Sequence, residues 1–168
     1  MINSQHILST IGYESADLAD FLETLRARGV TCIIDIRELP ISRRRGFSKR
    51  SLSEALEMAG IHYIHLRGLG DPKEGRMAAR AGDIKKFQAV FSRHLLSERA
   101  QADLKTAVDM VSQFAACLLC YERDYKTCHR TIVAKALSDI VPIKIRHLGV
   151  RAGLAEKSKQ SNLFAPTE

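Results

Sequence analysis

Short apolar runs recur along the chain and predict the strands of a sheet. Thr31–Ile36 and Ala115–Cys120 are apolar almost throughout, as expected of strands that are covered on both faces. Ile7–Ile11 and Ile61–Leu66 predict two more strands. In the segment Ile143–Arg146, isoleucines alternate with basic residues, which predicts an edge strand with one solvated face.

Between these runs the apolar residues follow helical spacing. The pattern predicts amphipathic helices over 18–25, 84–95, 104–114 and 132–140. The segment Ser51–Glu54 has the form of a capping box, which predicts a helix that starts there and ends at Gly60. Thr127 is placed to cap the helix over 132–140. Two consecutive helices are thus expected between the third and fourth strands.

Alternation of strands and helices predicts an α/β fold with three layers. We expect a mostly parallel sheet of about five strands with helices on both faces and right-handed crossovers. A chain of 168 residues suits one domain, which we assign to residues 1–150. Residues 151–168 are polar and lack apolar periodicity, so we predict a flexible tail there.

Composition and charge narrow the functional classes. The chain is 45% hydrophobic and 27% charged, which is typical of a globular protein. No signal sequence and no apolar run of the roughly 20 residues that a membrane helix needs is visible, so we expect a cytoplasmic protein with reduced cysteines. The net charge is +7, and the segment Arg37–Arg50 holds six Lys/Arg and one Glu. The concentrated charge predicts an anionic ligand at one place.

In a parallel sheet the carboxyl ends of the strands lie at one rim, where ligands bind. The residues expected there carry acids, cations, thiols and an imidazole. The candidate catalytic residues are Cys128, Glu122, Asp35 and His129. The candidate ligand-binding residues are Tyr13, Arg37, Ser42, Arg43, Arg44, Cys120 and Arg130.

Two interpretations of these residues stay open at this stage. Cys128 at the first turn of a helix would feel the positive end of the helix dipole, which favours a reactive thiolate. The alternative is a small, buried and inert cysteine. Glu122 and Asp35 are either acid/base groups or the counter-charges of arginines such as Arg37 and Arg130.

Metal and cofactor signatures are weak. Cys117 and Cys120 have redox spacing but lie within a predicted strand, where they point to opposite faces. A zinc site from Cys120, Cys128 and His129 is conceivable, yet adjacent Cys and His seldom bind one tetrahedral ion. No phosphate loop or dinucleotide fingerprint is present. We predict neither a metal nor a cofactor.

The basic loop 42–48 carries three arginines and one aromatic residue, Phe47. Arginine donors suit a phosphate, and the aromatic ring suits a stacked base. A solvated basic loop without a ligand is the alternative.

The chain resembles the family described as domain of unknown function 488, from Thr10 to about Leu137. Its marks here are Thr10-Ile-Gly-Tyr13, Asp35-Ile-Arg37 with Pro40, Ser42-Arg43, Gly46-Phe47-Ser48, Gly60-Ile61, Tyr63, Leu69-Gly70, Leu118-Leu-Cys-Tyr-Glu122 and Cys128-His-Arg130. The resemblance implies an α/β fold and a shared polar site, and it leaves the reaction open.

Three classes of function compete. The first is an enzyme, a hydrolase or transferase, that acts on a phosphate-bearing substrate such as a nucleotide or nucleic acid. The second is a nucleic-acid-binding module without chemistry that uses the basic segment 37–50, although no known nucleic-acid motif supports it. The third is a domain that binds an acidic protein surface. The sequence indicates no membrane partner and fixes no oligomeric state.

Overall fold

The computed structural model describes residues 5–163, in which five parallel strands form one sheet. The strands are β1 (His6–Gly12), β2 (Cys32–Asp35), β3 (His62–His65), β4 (Ala116–Cys120) and β5 (Ile143–Leu148). Their spatial order is β3-β2-β4-β1-β5, and every neighbouring pair is parallel. The prediction of a three-layer α/β fold with about five strands is confirmed, and β5 lies at an edge as its alternating pattern predicts.

Seven helices cover the sheet within the described residues. They are α1 (Leu18–Ala27), α2 (Lys49–Met58), α3 (Lys73–Arg80), α4 (Ile84–Leu95), α5 (Glu98–Gln113), α6 (His129–Ser138) and α7 (Leu154–Leu163). Short 3₁₀ turns span Arg67–Leu69 and Tyr125–Thr127. None of these helices combines the length and apolar character that crossing a bilayer requires.

The core is divided between the two faces of the sheet. Phe21 of α1 and Leu52 of α2 pack with Ile33 of β2 in one cluster. Phe91 of α4 packs in the other cluster with Leu118 of β4, together with apolar residues of α5 and α6. Neighbouring residues of each inner strand therefore point into different clusters, which explains why these strands are apolar on consecutive positions.

The strand order produces a switch point beside β4. From β1 the chain moves through β2 to β3 at one edge, and from there through β4 to β5 at the other edge. The loops that follow β2 and β4 therefore lead to opposite faces, although the two strands are neighbours. In open α/β sheets a crevice forms at such a point, outside the carboxyl ends of the strands.

Two helix starts differ from the prediction. The helix expected from Ser51 begins at Lys49, and Ser48 is its N-cap residue. Ser48 does not cap with its side chain, because its hydroxyl accepts from Ser42 N and donates to Ser42 O in the basic loop. Thr127 lies in a 3₁₀ turn instead of capping α6, whose N-cap residue is Cys128.

Helix α3 was not predicted, so three helices and not two separate β3 from β4. Its sequence from Lys73 to Arg80 is short, largely charged and contains Gly75, which lowers helix propensity. Only Gly75 and Ala78 are buried on it.

The predicted tail contains helix α7, although its sequence has no apolar stripe. Polar contacts attach it to α1, because Asp20 accepts from the backbone N–H groups of Gly153 and Ala155 at 2.9 Å. Ser158 donates to Glu23 of the same helix at 2.6 Å. Flexibility of this segment stays a prediction, and residues 164–168 of the predicted tail lie outside the described part of the chain.

Candidate functional site

A cavity of about 360 Å³ lies at the carboxyl ends of the strands, at the switch point that the strand order produces. The loop after β2 supplies one wall, with Glu38, Leu39, Ile41, Ser42, Arg43 and Arg44. The opposite wall contains Asp71, Arg76, Arg80, Tyr121, Glu122 and His129, and Tyr13 and Arg37 also line the cavity. A second cavity of about 280 Å³ shares Asp71, Glu122 and His129, so these three groups face both spaces.

Asp35 and Arg37 form a buried ion pair beneath the basic loop. Arg37 Nη2 donates to Asp35 Oδ2 at 2.7 Å, and Nε donates to Oδ1 at 2.9 Å. Tyr63 OH adds a bond of 2.6 Å to Oδ2. Asp35 is fully buried and does not line the cavity. The counter-charge interpretation of Asp35 therefore fits the geometry better than an acid/base role.

Arg37 itself has little capacity left for a ligand. Besides Asp35, its Nη1 donates to Tyr13 OH at 3.1 Å and to Phe47 O at 2.6 Å. These bonds occupy four of the five guanidinium N–H groups. Neighbouring negative charge and hydrogen bonds outweigh burial and raise the pKa of Arg37. Arg37 thus holds the loop after β2 in place.

The aromatic residue of the basic loop is not available to a base. Phe47 is 1% exposed and stacks on Tyr13 with ring centroids 4.5 Å apart. It also meets Phe21 of α1 edge to face. The expected stacking platform is therefore a core residue. Tyr121, which is 47% exposed and lines the cavity, is the aromatic group that faces solvent there.

Three arginines without an ion-pair partner among the described residues line the cavity, two from the loop after β2 and one from α3. Arg43, Arg44 and Arg80 are exposed, and within residues 5–163 none of the three forms an ion pair with a carboxylate. Arg44 is positioned by a 2.7 Å bond from Nε to Ala16 O. Ser42 accepts from Arg44 N at 3.0 Å and so shapes the loop. The guanidinium groups of these three arginines suit an anionic ligand.

Two carboxyl groups line the wall opposite the loop after β2. Glu122 follows β4, and Asp71 lies in the loop after β3. Asp71 is 6% exposed, and its Oδ1 is the buried side-chain oxygen for which the described residues provide no hydrogen-bond partner. Buried polar atoms are normally satisfied, so this oxygen is exceptional.

The environment of Asp71 changes its acidity. Burial first, and then the negative charge of Glu122, raise the pKa of Asp71 to about 7, against a smaller opposing effect of Arg76. Arg76 is itself paired with Glu38 and donates to Asp71 O at 2.7 Å. Asp71 therefore exchanges its proton near neutral pH, as a general acid or base must.

His129 forms part of the wall between the carboxyl groups and the core. Its Nε2 lies 2.9 Å from Ile36 O, and because a carbonyl only accepts, Nε2 carries the proton. Nδ1 lies 3.7 Å from Cys128 Sγ. Burial lowers the pKa of His129, so the neutral ring presents an unprotonated Nδ1 to the thiol.

Cys128 lies behind the cavity wall and is 3% exposed. Its Sγ is 2.6 Å from Cys120 Sγ, 3.3 Å from Glu122 Oε2 and 3.4 Å from Arg130 N. Burial and the neighbouring Cys120 raise the pKa of Cys128 well above its usual value. The helix start therefore does not produce the low-pKa thiolate that the sequence suggests, because burial outweighs the backbone N–H of Arg130.

Arg130 is a fully buried cation beside the two thiols. Nη1 donates to Cys120 Sγ at 3.0 Å and to Glu122 O, while Nε donates to Thr10 Oγ1 at 3.2 Å. Within residues 5–163 no carboxylate forms an ion pair with it. Gly12 is required at this point, since a Cβ there would lie 1.8 Å from Glu122 O. Arg130 thus holds the Glu122 backbone and is not free to bind a ligand.

Cys120, Glu122 and Cys128 are also the residues that could share a metal ion, with donor atoms within 4.8 Å of one another. Zinc–sulfur bonds of about 2.3 Å at tetrahedral angles hold two sulfurs roughly 3.8 Å apart. The observed 2.6 Å is more than 1 Å shorter. The short distance favours a direct contact between the two sulfurs over shared binding of a zinc ion. The absence of a metal stays a prediction.

The structure brings most of the candidate residues to one place. Tyr13, Arg37, Ser42, Arg43, Arg44, Glu122 and His129 line the cavity, and Cys120, Cys128 and Arg130 lie directly behind Glu122. Asp71, Arg76, Arg80 and Tyr121 also line the cavity and are absent from the predicted site residues. Asp71 follows the predicted strand Ile61–Leu66 after a short loop, and this position at a strand end was the available signal.

Comparison with known proteins adds one finding. The family model described as domain of unknown function DUF488 matches residues 17–137, a span that includes the loop after β2, Asp71 and the segment from Cys120 to Arg130. No curated protein and no solved structure matches the chain. The match covers well over half of the 168 residues, and the chain therefore belongs to the DUF488 family.

Proposed function

We propose that the protein is an enzyme, a hydrolase or transferase, that acts on a phosphate-bearing substrate. One observation carries the proposal. The cavity at the switch point is lined by three arginines that form no ion pair within residues 5–163 and by two carboxyl groups, one of which, Asp71, has a buried oxygen without a hydrogen-bond partner in that range. A site with these two kinds of group binds an anion and moves a proton beside it.

Phosphate recognition is assigned to the arginines of the cavity. Arg43 and Arg80 approach the cavity from the loop after β2 and from α3, so they can contact an anion from two directions. Guanidinium groups bind phosphate through paired N–H donors. Tyr121 supplies an exposed ring at the same cavity, on which a nucleobase can stack.

Proton transfer is assigned to the two carboxyl groups, Asp71 and Glu122. Asp71, whose pKa is raised to about 7, donates a proton to the leaving group. Glu122 accepts the proton of the attacking water or hydroxyl. Carboxyl groups in such roles typically contribute 10²–10⁴-fold to the rate. Cys128 and His129 orient Glu122 from behind, since Cys128 Sγ donates to Glu122 Oε2.

The binding half is tested by calorimetry with inorganic phosphate, a nucleoside monophosphate and a nucleoside triphosphate. Arg80→Ala and Arg43→Ala should each weaken binding of the best probe about tenfold or more. Arg50→Ala is the matched control, because Arg50 belongs to the same basic segment but pairs with Glu54 on α2 outside the cavity. Equal effects of all three variants, or no binding of any probe, would refute the assignment.

The catalytic half is tested on a panel of phosphate mono- and diesters followed by ³¹P NMR. Asp71→Asn and Glu122→Gln should lower kcat by about 10²–10⁴ and leave the affinity for the probe within a factor of about three. Glu54→Gln, an exposed carboxylate on α2, controls for loss of charge. Turnover that survives both cavity variants contradicts the assignment of the acid and the base.

The non-catalytic nucleic-acid-binding module remains the rival, and the exposed run from Arg43 to Arg45 favours it. A binder that contacts several phosphates loses affinity for an oligonucleotide steeply as salt rises. Its affinity should be insensitive to Asp71→Asn. Salt-dependent binding of a single-stranded oligonucleotide without turnover of any ester would establish this alternative in place of the enzyme.

A further inference from the structure

Two cysteine sulfurs approach each other unusually closely behind the cavity wall. Cys120 Sγ, at the end of β4, lies 2.6 Å from Cys128 Sγ, at the N-cap of α6. A disulfide bond is about 2.05 Å long, so closure requires a movement of roughly 0.6 Å. Both cysteines are free.

We propose that Cys120 and Cys128 form a redox-active dithiol, which a hydroperoxide of small size such as hydrogen peroxide oxidises to a disulfide. The route to the pair runs from the cavity, because Glu122 and His129 line the cavity and both contact Cys128. We expect a small hydroperoxide to reach Cys128 between these two side chains, which separate it from the cavity. The proposal is independent of the phosphate chemistry, since it concerns the covalent state of the two sulfurs.

The chemistry balances with one peroxide per pair. Glu122 Oε2, 3.3 Å from Cys128 Sγ, takes the thiol proton, and the sulfur attacks the O–O bond. That bond breaks, one oxygen stays on the sulfur as a sulfenic acid, and the other leaves as water with the proton from Glu122. Cys120 Sγ then attacks the sulfenic sulfur, the S–O bond breaks, and the hydroxyl leaves as a second water with the proton of the Cys120 thiol. Two electrons pass from the sulfurs to the peroxide.

The surroundings of the pair favour this second step. Arg130 Nη1 lies 3.0 Å from Cys120 Sγ, and a cation beside an attacking sulfur stabilises its negative charge. The distance between the sulfurs is already that of a near-attack arrangement, so the intermediate has a resolving thiol next to it. Formation of the disulfide should therefore outpace further oxidation of Cys128.

The remaining cysteines provide internal controls. Cys32 and Cys117 are also buried and free, but in the described part of the chain neither sulfur has another sulfur as a contact. Within residues 5–163 the hydrogen-bond partner of the Cys117 sulfur is Leu118 O, at 3.7 Å. Burial raises the pKa of Cys32 to about 11. These two residues should stay reduced under the same treatment.

The experiment treats the reduced full-length chain with equimolar hydrogen peroxide, alkylates it in denaturant and maps the peptides by mass spectrometry. We expect two alkylated cysteines, Cys32 and Cys117, in place of four. We also expect a Cys120–Cys128 linked peptide that is lighter by two hydrogen atoms and is restored by dithiothreitol. Four alkylated cysteines, a different linkage, or sulfinic acid at Cys128 without a linked peptide would each overturn the proposal.

Variants separate the pair from general reactivity. Cys32→Ala and Cys117→Ala should form the disulfide to the same extent as the original chain, and Cys120→Ser should accumulate sulfenic acid at Cys128, trapped with dimedone. If Cys120→Ser does not fold, the peptide map of the unmodified chain decides the question alone. Stoichiometric zinc on the purified protein that blocks oxidation at the pair would also overturn the proposal.

Discussion

Asp35 and Asp71 are both buried at the carboxyl ends of neighbouring strands, but their carboxyl groups have opposite surroundings. Asp35 follows Ile34 at the end of β2 and accepts from Arg37 through three N–H groups and from Tyr63. Asp71 follows β3 and has an oxygen without a hydrogen-bond partner within residues 5–163. The first carboxylate is fully satisfied, and the second is not.

The difference separates architecture from candidate chemistry. A buried carboxylate with several donors fixes the backbone around it and has no capacity left for a ligand. A buried carboxyl group with an open oxygen and a raised pKa can exchange protons and marks a candidate site. Position in the sequence did not distinguish the two residues, since one ends a strand and the other follows one after a short loop. The number of hydrogen-bond donors around each group does.

The largest effect is expected from Asp35→Asn. The change leaves the guanidinium of Arg37 buried without a counter-charge, which typically costs about 3–5 kcal/mol. Urea denaturation should show this loss in the free energy of unfolding. Glu54→Gln, which breaks the exposed pair with Arg50, should cost less than about 1 kcal/mol. A loss below about 1 kcal/mol in Asp35→Asn would contradict the architectural role.

A smaller effect is expected from Gly75→Ala in α3. Alanine normally stabilises a helix by about 1 kcal/mol relative to glycine. Here a Cβ would lie 2.1 Å from Asp71 Oδ1, and such overpacking costs about 1–3 kcal/mol. We expect a net loss in thermal unfolding, with lower turnover because Asp71 is displaced. Gly149→Ala is the control, since its Cβ would meet nothing within 4 Å; a stabilised Gly75→Ala would contradict the contact.

The pH dependence of stability tests Asp71 directly. Its pKa of about 7 in the folded state exceeds the ordinary value of 3.8, so its contribution to stability is complete below the ordinary value and is lost as the pH rises through about 7. Between about pH 5 and pH 8, the free energy of unfolding of the original chain should fall by on the order of 2 kcal/mol relative to that of Asp71→Asn. Parallel pH profiles of the two proteins would show that Asp71 titrates normally.

The smallest effect is expected from Tyr63→Phe. The hydroxyl donates to Asp35 Oδ2 at 2.6 Å, and a bond to a charged acceptor contributes about 1.5 kcal/mol at the lower end of its range. The three N–H groups of Arg37 should hold Asp35 in place. Tyr121→Phe, at an exposed ring, should change the free energy of unfolding by less than about 0.5 kcal/mol. A loss as large as that of Asp35→Asn would show that the ion pair depends on Tyr63.

The fold could be predicted because its signal is local. Residues of Thr31–Ile36 and Ala115–Cys120 are apolar on both faces, and that pattern identifies inner strands without knowledge of their partners. Helix α3 lacked such a signal, since Gly75 and its charged neighbours carry no apolar stripe. The predicted start of α2 at Ser51 was wrong, since the helix begins at Lys49. The hydroxyl of Ser48 bonds to the backbone of Ser42, a contact that the sequence does not reveal.

The structure brings most of the candidate residues to one cavity, and their functional roles stay predictions. The positions of Tyr13, Arg37 and Glu122 at strand ends predicted that they would lie close together. They did not predict how much of the hydrogen-bonding capacity of each side chain is already used within the protein. Cys128 reads from the sequence as a thiol activated by a helix, yet burial and Cys120 raise its pKa. Phe47 reads as a ligand contact and is a core residue. Each error arose from long-range packing, which short patterns do not encode.

The placement of β4 between β1 and β2 has a consequence for how this scaffold can change. The crevice exists because the chain leaves neighbouring strands toward opposite helical layers, whatever side chains line it. Residues 38–44 and 121–127 could therefore be exchanged for segments with other chemistry while the sheet retains its register. The side chains of these cavity-lining loops and the framework of the sheet therefore lie in separate stretches of the polypeptide, and the first can diverge without loss of the second.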